Sequence, residues 1–496
     1  MEEYMVIPQY STRFLRWFLL SAILSVSCGS SDDHLIDAAD RPNIVLIMAD
    51  DLGKEWISAY GAEDIQTPHI DALASEGILF RNVYSMPQCT PSRVTLLTGQ
   101  YPFRHGWVNH WDVPRWGGGA HFDETMNPSL AIEMKKAGYA TCVAGKWQID
   151  DFRVEPDALT NNGFDSYCMW TGYETGVSAS ANRYVDPYLY TQHGSMTHES
   201  AFGPDVFTEH IVQFIKENRN DPFFIYYPMV LPHGPFVNTP DDTSETRRER
   251  YIGMVRYLDK LSGQVIGALE ESNVIENTVI IWTSDNGSPR SISGKMNGQI
   301  VQGGKGRTSE SGTCVPFIVR WDSAPSKGSQ SDALIDFSDL FPTILDLAGV
   351  RFRQETPGSN VFTHDGQSFK NVLLGIKEKS ERNWILSMGG GNHASLTENG
   401  VENQYNFRDR VVRNERYKLY IDSERKAAMF VDLLDDPFET NNLLDSLHSE
   451  DRLSNFQSLF DVSKQFPEKD QDPIYKPNPG QPWDVDITAT SEQWKK

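Results

Sequence analysis

The chain has 496 residues, 39% of them apolar and 23% charged, a composition that fills a globular core larger than one typical domain. A net charge of −23 argues against nucleic acid as partner, because phosphate binding needs a basic surface. Five cysteines in this length argue against a disulfide scaffold.

At the N-terminus, Arg13 and Arg16 precede the apolar run Trp17 to Leu24, which is too short for an ordinary membrane-spanning helix. Small residues then lead to Cys28. The pattern over residues 1–27 resembles a lipoprotein-type signal peptide, with Cys28 as the lipidated first mature residue. Ser25 stands where such signals usually carry Leu, so simple secretion stays open. Residues 28–40 read as a linker. The protein is therefore expected to be exported, as a periplasmic, outer-membrane or cell-surface lipoprotein of a bacterium. Its membrane contact would be the anchor at Cys28 alone, since no later stretch is long and apolar enough to span a bilayer.

The first apolar strand is expected over Asn43–Met48, and Asp50 and Asp51 follow it. A helix over Ile70–Glu76 stops at Gly77. In Cys89-Thr90-Pro91-Ser92-Arg93, Thr90 is expected to cap a helix with Pro91 at its first position and Ser92–Leu97 following. Cys89 would then sit just outside a helix N-terminus, where free N–H groups favour an anion. A second helix, Leu130–Ala137, stops at Gly138. Further strands are expected over Ala140–Ala144, Phe223–Val230, Thr278–Trp282 and Val315–Val319. Lys146 follows the first of these, His233 the second, and Asp285 and Asn286 the third. Alternating strands and helices predict a mostly parallel sheet covered on both faces, and such sheets bind ligands at the C-terminal ends of their strands. Asp50, Asp51, Asp285 and Asn286 offer only hard oxygen atoms, which suit Ca²⁺ or Mg²⁺ rather than zinc or copper. Cys142, Cys168 and Cys314 allow at most one disulfide among them.

After about residue 375 the pattern changes. Arg410–Arg413, Tyr417–Ile421 and Met429–Leu433 read as a small antiparallel sheet, with a helix over Ser449–Phe466 and a Pro-rich extended tail from Pro467 to Trp483. The expected division is a catalytic α/β domain over 41–375 and a C-terminal subdomain with its tail over 376–496.

The pentapeptide at 89–93, with Leu97-Thr98-Gly99 after it, resembles the modification site of formylglycine-dependent sulfatases in the alkaline-phosphatase superfamily. From about residue 41 to 443 other segments are similar to the same family. They are Arg41 to Asp51, Thr67-Pro68-His69-Ile70-Asp71, Gly303-Gly304-Lys305-Gly306 with Glu310, Asp339 to Ile344, and Asp432 to Leu443. The resemblance implies an alkaline-phosphatase-like fold, with a large mostly parallel sheet sandwiched by helices and a small C-terminal antiparallel sheet. It implies Ca²⁺, with Mg²⁺ as the other candidate, held by Asp50, Asp51, Asp285, Asn286 and residue 89. It also implies that a formylglycine-generating maturase oxidises Cys89 to an aldehyde. One hydroxyl of the hydrated aldehyde would attack sulfur, and the other would then expel sulfate. Lys305 and Lys146 would bind sulfate oxygens, Arg93 would orient the nucleophile, and His233 would protonate or contact the leaving oxygen.

One position departs. The family often reads Gly-Lys-Trp-His, and this chain has Gly145-Lys146-Trp147-Gln148. Gln148 can hydrogen-bond the sulfate but cannot carry a proton. A dense stretch after the nucleophile segment, comprising His105, Trp107, His110, Trp111, Arg115 and Trp116, suits sugar stacking and a second anionic group, with plain loop packing as the alternative. The expected function is an exported sulfatase acting on sulfated carbohydrates. The alternatives are a phosphoesterase or phosphonate hydrolase of the same superfamily, and a non-catalytic lipoprotein that binds sulfated glycans.

Overall fold

Every side chain of Asn43–Ala49 (β1) is buried, because both faces of this strand are covered. Ile44, Leu46 and Met48 point into one core, and Val45, Ile47 and Ala49 into the other. A strand with two dry faces must be apolar throughout, and that is why it reads as a continuous run. The computed structural model describes residues 41–107, 118–122, 124, 127–150, 152, 155–170, 182–325, 327–350, 352, 363–389, 394–397, 400–403, 407–470 and 474–477. The leader, Cys28 and the linker lie outside them, as do His110, Trp111, Arg115 and Trp116.

In chain order the main elements are α1 (Pro68–Glu76), β2 (Ile78–Tyr84), α2 (Cys89–Thr98), α3 (Leu130–Lys136), β3 (Ala140–Lys146), β4 (Ser166–Trp170), β5 (Tyr188–Thr191) and β6 (Gly194–Thr197). Then come α4 (Gly203–Asn218), β7 (Phe223–Pro228), α5 (Arg247–Glu271), β8 (Thr278–Ser284), β9 (Phe317–Trp321), β10 (Ser329–Asp336) and α6 (Leu340–Leu347). One ten-stranded sheet has the order β10-β2-β9-β8-β1-β7-β3-β4-β5-β6. Its centre, β8-β1-β7-β3-β4, is parallel. Helices α2, α3 and α6 cover one face, while α1, α4 and α5 cover the other.

The strand expected at Val315–Val319 forms as β9, but it runs antiparallel to both β2 and β8. An apolar run carries no sign of its direction, so the expected parallel orientation is corrected here. The helix at residue 89 also differs. It begins at Cys89 with Gln88 as its cap, so Thr90 is inside the helix and its hydroxyl donates to the Gln148 carbonyl at 3.0 Å instead of capping. Pro91 sits at the third helical position, where its missing N–H still leaves no bond unmade. Gly99, at φ 69°, closes the helix in the left-handed conformation.

The C-terminal sheet has four strands, β11 (Ile385–Met388), β12 (Arg410–Arg413), β13 (Tyr417–Ile421) and β14 (Ala427–Asp432), all antiparallel. Helix α7 (Glu450–Ser463), capped by Ser449, packs on it. This sheet steadies the loop that carries Lys305. Lys418 Nζ lies 2.9 Å from Glu310 Oε1 and 2.6 Å from Glu439 Oε1, and Glu439 accepts the Glu310 N–H at 2.7 Å. The Asp339 and Glu439 segments singled out in the sequence thus hold the fold. Asp339 accepts two bonds from buried Arg382, at 2.7 and 2.6 Å. Part of the tail is a strand, Ile474–Pro477, paired antiparallel with Gly118–His121. Among the described residues no helix is long and apolar enough to cross a membrane, and Cys89, Cys142, Cys168 and Cys314 are free thiols.

Candidate active site

The parallel strands β1, β3 and β8 end side by side, and their C-terminal residues converge. Asp50 and Asp51 follow β1, Lys146 ends β3, and Asp285 and Asn286 follow β8. Asp51 adopts φ 72°, a left-handed conformation rare for a residue with a side chain. That turn brings its carboxylate back beside Asp50. Ahead of Lys146, Gly145 has φ 123°, and a Cβ there would fall 2.0 Å from the Pro228 carbonyl oxygen. Only glycine lets β3 and β7 approach this closely just before the lysine.

One ligand atom each from Asp50, Asp51, Cys89 and His233 lies within 4.8 Å of the others. Cys89 Sγ sits 3.5 Å from Asp50 Oδ1, 3.8 Å from Asp51 Oδ1 and 3.5 Å from Lys305 Nζ. Lys146 Nζ bonds both Asp50 oxygens at 3.0 and 2.8 Å, and Lys305 Nζ bonds Asp51 at 2.6 Å. Asp285 is not among the four converging groups. It joins them by accepting the Asp51 N–H at 3.1 Å and pairing with Arg93 Nη2 at 2.7 Å. Arg93 is fully buried and also donates to the Lys146 carbonyl at 2.6 Å, so it braces β3 and the carboxylates together. Asn286 Nδ2 donates to Asp51 at 2.9 Å, while its Oδ1 is buried with no hydrogen-bond partner among the described residues.

Electrostatics follow from this crowding. Burial would raise the Asp50 carboxyl, but Lys146 first, then Arg93 and Lys305, hold it well below the usual range. Asp51 is likewise lowered against its burial, chiefly by Lys305. Asp285 is raised to about 6, by burial first and then by the charge of Asp50, even with Arg93 in contact. Burial also pushes the Cys89 thiol up to about 12, with Asp285 adding to it. His233 Nδ1 touches the Gly234 carbonyl at 2.6 Å and Nε2 lies 3.6 Å from Asp51. A carbonyl only accepts, so the Nδ1 proton is committed, and a proton passed toward the site must come from Nε2 of the imidazolium. Burial, with Lys305 next, lowers His233 to about 3, so the ring rests neutral.

Gln148 follows Lys146 closely, at φ 56°, and its Oε1 is buried without a hydrogen-bond partner among the described residues. Rotating the amide exchanges oxygen and nitrogen, so the same place offers a donor to an anion. The aromatic stretch beyond α2 is different. His105 is buried, its Nδ1 accepting the Trp107 N–H at 3.1 Å and its Nε2 lying 3.1 Å from Thr95 Oγ1. Trp107 is fully buried edge-on against Phe122. Both are core residues and not a sugar platform, which corrects the expectation for these two. Arg183, which no sequence signal singles out, places Nη1 3.9 Å from Asp50 Oδ2; it lies in a polar stretch with no periodicity to mark it.

A family model described as Sulfatase matches residues 42–350. An arylsulfatase of Hemicentrotus pulcherrimus is 30% identical over 361 residues, covering 67% of this chain. The match spans only 62% of that relative's own length. An N-acetylgalactosamine-6-O-sulfatase of Bacteroides thetaiotaomicron is 28% identical over 82% of this chain and 90% of its own. The solved structure of Ps i-CgsB in complex with k-i-k-neocarrahexaose superposes with a TM-score of 0.70 at 23% identity, covering 92% of this chain and 97% of that one.

Proposed function

This chain belongs to the sulfatase family, and from that premise we propose that it is an exported hydrolase of sulfate esters on carbohydrates, with residue 89 as nucleophile. The observation that carries the reading is the buried meeting of Cys89 with two carboxylates and Lys305 at the ends of the central strands. Without a bound cation, burial holds this thiol near 12, so it stays protonated at neutral pH. Oxidised to formylglycine, the same residue supplies a hydrated aldehyde whose hydroxyl attacks sulfur.

The residues also fit a divalent cation. The donor set is hard oxygen, and the buried Asn286 Oδ1 lacks a hydrogen-bond partner among the described residues. Asp50, Asp51, Asp285, Asn286 and residue 89 would hold Ca²⁺, with Mg²⁺ as the alternative. When bound, the ion supplies Lewis acidity toward the sulfate group. The protein's own groups do the rest. Lys146 and Lys305 turn from carboxylates toward sulfate oxygens and offset their charge. Arg93 keeps the acidic residues in place, and Gln148 donates to a sulfate oxygen. His233, neutral at rest with its Nδ1 proton turned to Gly234, delivers a proton from Nε2 to the departing alcohol oxygen only as the imidazolium, the form that the negative charge of a bound sulfate favours.

Gln148→Ala is expected to lower kcat by roughly one hundred- to one thousandfold, the range for one lost donor to developing charge. His233→Ala should cost more on sugar sulfates than on aryl sulfates with good leaving groups, because protonation matters most for a poor leaving group. Rates across a leaving-group series check both. Equal losses for His233→Ala along that series would remove its acid role.

Matched sulfate and phosphate monoesters test the reading as a whole. Sulfate turnover should dominate, and preferred phosphate hydrolysis would move the protein to phosphoester chemistry. A mass spectrum across residue 89 of the native protein should show the aldehyde. The anchor is tested separately: Cys28→Ala should release the protein from the membrane fraction.

A further inference from the structure

We propose that Arg183, held over the Trp170 ring, is a further substrate-binding residue that grips an oxygen of the sulfate group being cleaved. The proposal rests on the sulfatase reading for the identity of its anion. Arg183 is only 9% exposed. Its guanidinium carbon lies 4.0 Å from the Trp170 ring centroid, and Nη1 is 3.9 Å from Asp50 Oδ2, beyond hydrogen-bond reach. Nε and Nη1 are both buried with no hydrogen-bond partner among the described residues. Two unspent donors on a buried cation are costly, and a protein carries such a cost where a ligand completes the bonds.

Neutralising Asp50 is not the reason for this arginine. Lys146 already bonds both Asp50 oxygens, and Arg93 stands 3.7 Å away. The surroundings instead fix where the guanidinium sits. Trp170 ends β4 directly beside Lys146 of β3 in the parallel register, so the platform and the lysine share one sheet level. The next residue, Tyr184, donates its hydroxyl to the Val230 carbonyl at 2.8 Å and also contacts the His233 carbonyl. Asn182 Oδ1 accepts the N–H groups of Tyr184 and Val185 at 2.9 and 3.1 Å. The arginine is thus fixed through its neighbour Tyr184 to the His233 loop and through its own side chain to Trp170 of β4, the strand beside that of Lys146. A planar fork with free N–H groups matches a tetrahedral oxyanion better than a lysine would. Arg183 adds a positive charge facing the same Asp50 oxygen that Lys146 bonds.

Binding of inorganic sulfate by calorimetry, together with KM and kcat on an aryl sulfate, tests the proposal in wild type, Arg183→Met, Arg183→Lys and Trp170→Phe. Arg183→Met should weaken sulfate binding and raise KM by about ten- to a hundredfold, the worth of a charge-assisted hydrogen bond, with a smaller change in kcat. Arg183→Lys should recover part of the loss. Trp170→Phe, which leaves the charge untouched, should weaken sulfate binding in the same direction, and it carries the test if Arg183→Met does not fold. Unchanged sulfate affinity in folded variants, or no sulfate binding by wild type, would overturn the proposal. Arg183-dependent sulfate binding without turnover of any sulfate ester would instead sink the sulfatase reading and leave the anion site standing.

Discussion

Cys89→Ala loses turnover by roughly 10⁴- to 10⁶-fold, the scale seen when a nucleophile is deleted from an assembled site. Everything around residue 89 is arranged toward that one atom. The thiol is 3% exposed, at the first turn of α2, with two carboxylates and Lys305 within 3.8 Å. Replacing a thiol by hydrogen leaves a small cavity beside polar groups, so the fold survives with a melting temperature close to wild type. Steady-state kinetics and a thermal melt on the same preparation check both halves. A folded Cys89→Ala that retains wild-type kcat would falsify the covalent mechanism. Cys89→Ser should be equally inactive in a host whose maturase acts on cysteine alone.

Asp285→Ala is expected to remove most activity and to cost about 3 to 5 kcal/mol of stability, because it strands a buried charge. Its partner Arg93 is fully buried and bonds Asp285 at 2.7 Å. The variant should also bind Ca²⁺ more weakly than wild type. In metal-free wild type, Asp285 is raised to about 6, so its proton is favoured by the fold. Its contribution to stability is complete below the ordinary carboxylate pKa and is lost as pH rises through about 6. Ca²⁺ needs the deprotonated form, so the rise in melting temperature on adding Ca²⁺ should be larger at pH 7.5 than at pH 5. Chelator-treated protein should regain activity with Ca²⁺. Metal analysis of active protein that found neither Ca²⁺ nor Mg²⁺ would remove the ion from the site.

Much of this was legible because chemistry sits at strand ends. Once Asn43–Met48 and Thr278–Trp282 read as buried strands, Asp50, Asp51, Asp285 and Asn286 fell at one rim of the sheet. β2 was harder, since its apolar run Ile-Leu-Phe-Arg-Asn-Val-Tyr is interrupted where Arg81 and Asn82 emerge. β9 was found but not its direction, which is set by its neighbours. Helix α5 did carry a readable start, the Thr246 and Glu249 capping box, which the sequence reading passed over. His105 and Trp107 read as a binding surface because aromatic residues pack cores and stack on sugars with the same chemistry; only burial separates the two. Arg183 had no local signal, since its meaning comes from Trp170 and Asp50, residues distant in sequence.

The depth of residue 89 also sets an order of events in the life of the molecule. With 3% of Cys89 open to solvent and α2 wholly buried around it, no enzyme-sized oxidant reaches the thiol in the finished protein. Any maturase has to meet the Cys-Thr-Pro-Ser-Arg segment while it is still an extended chain, before α2 docks. Folding then closes a window rather than opening one. A preparation that folds ahead of its maturase would stay unconverted afterwards, and its specific activity would record how many chains were caught in time.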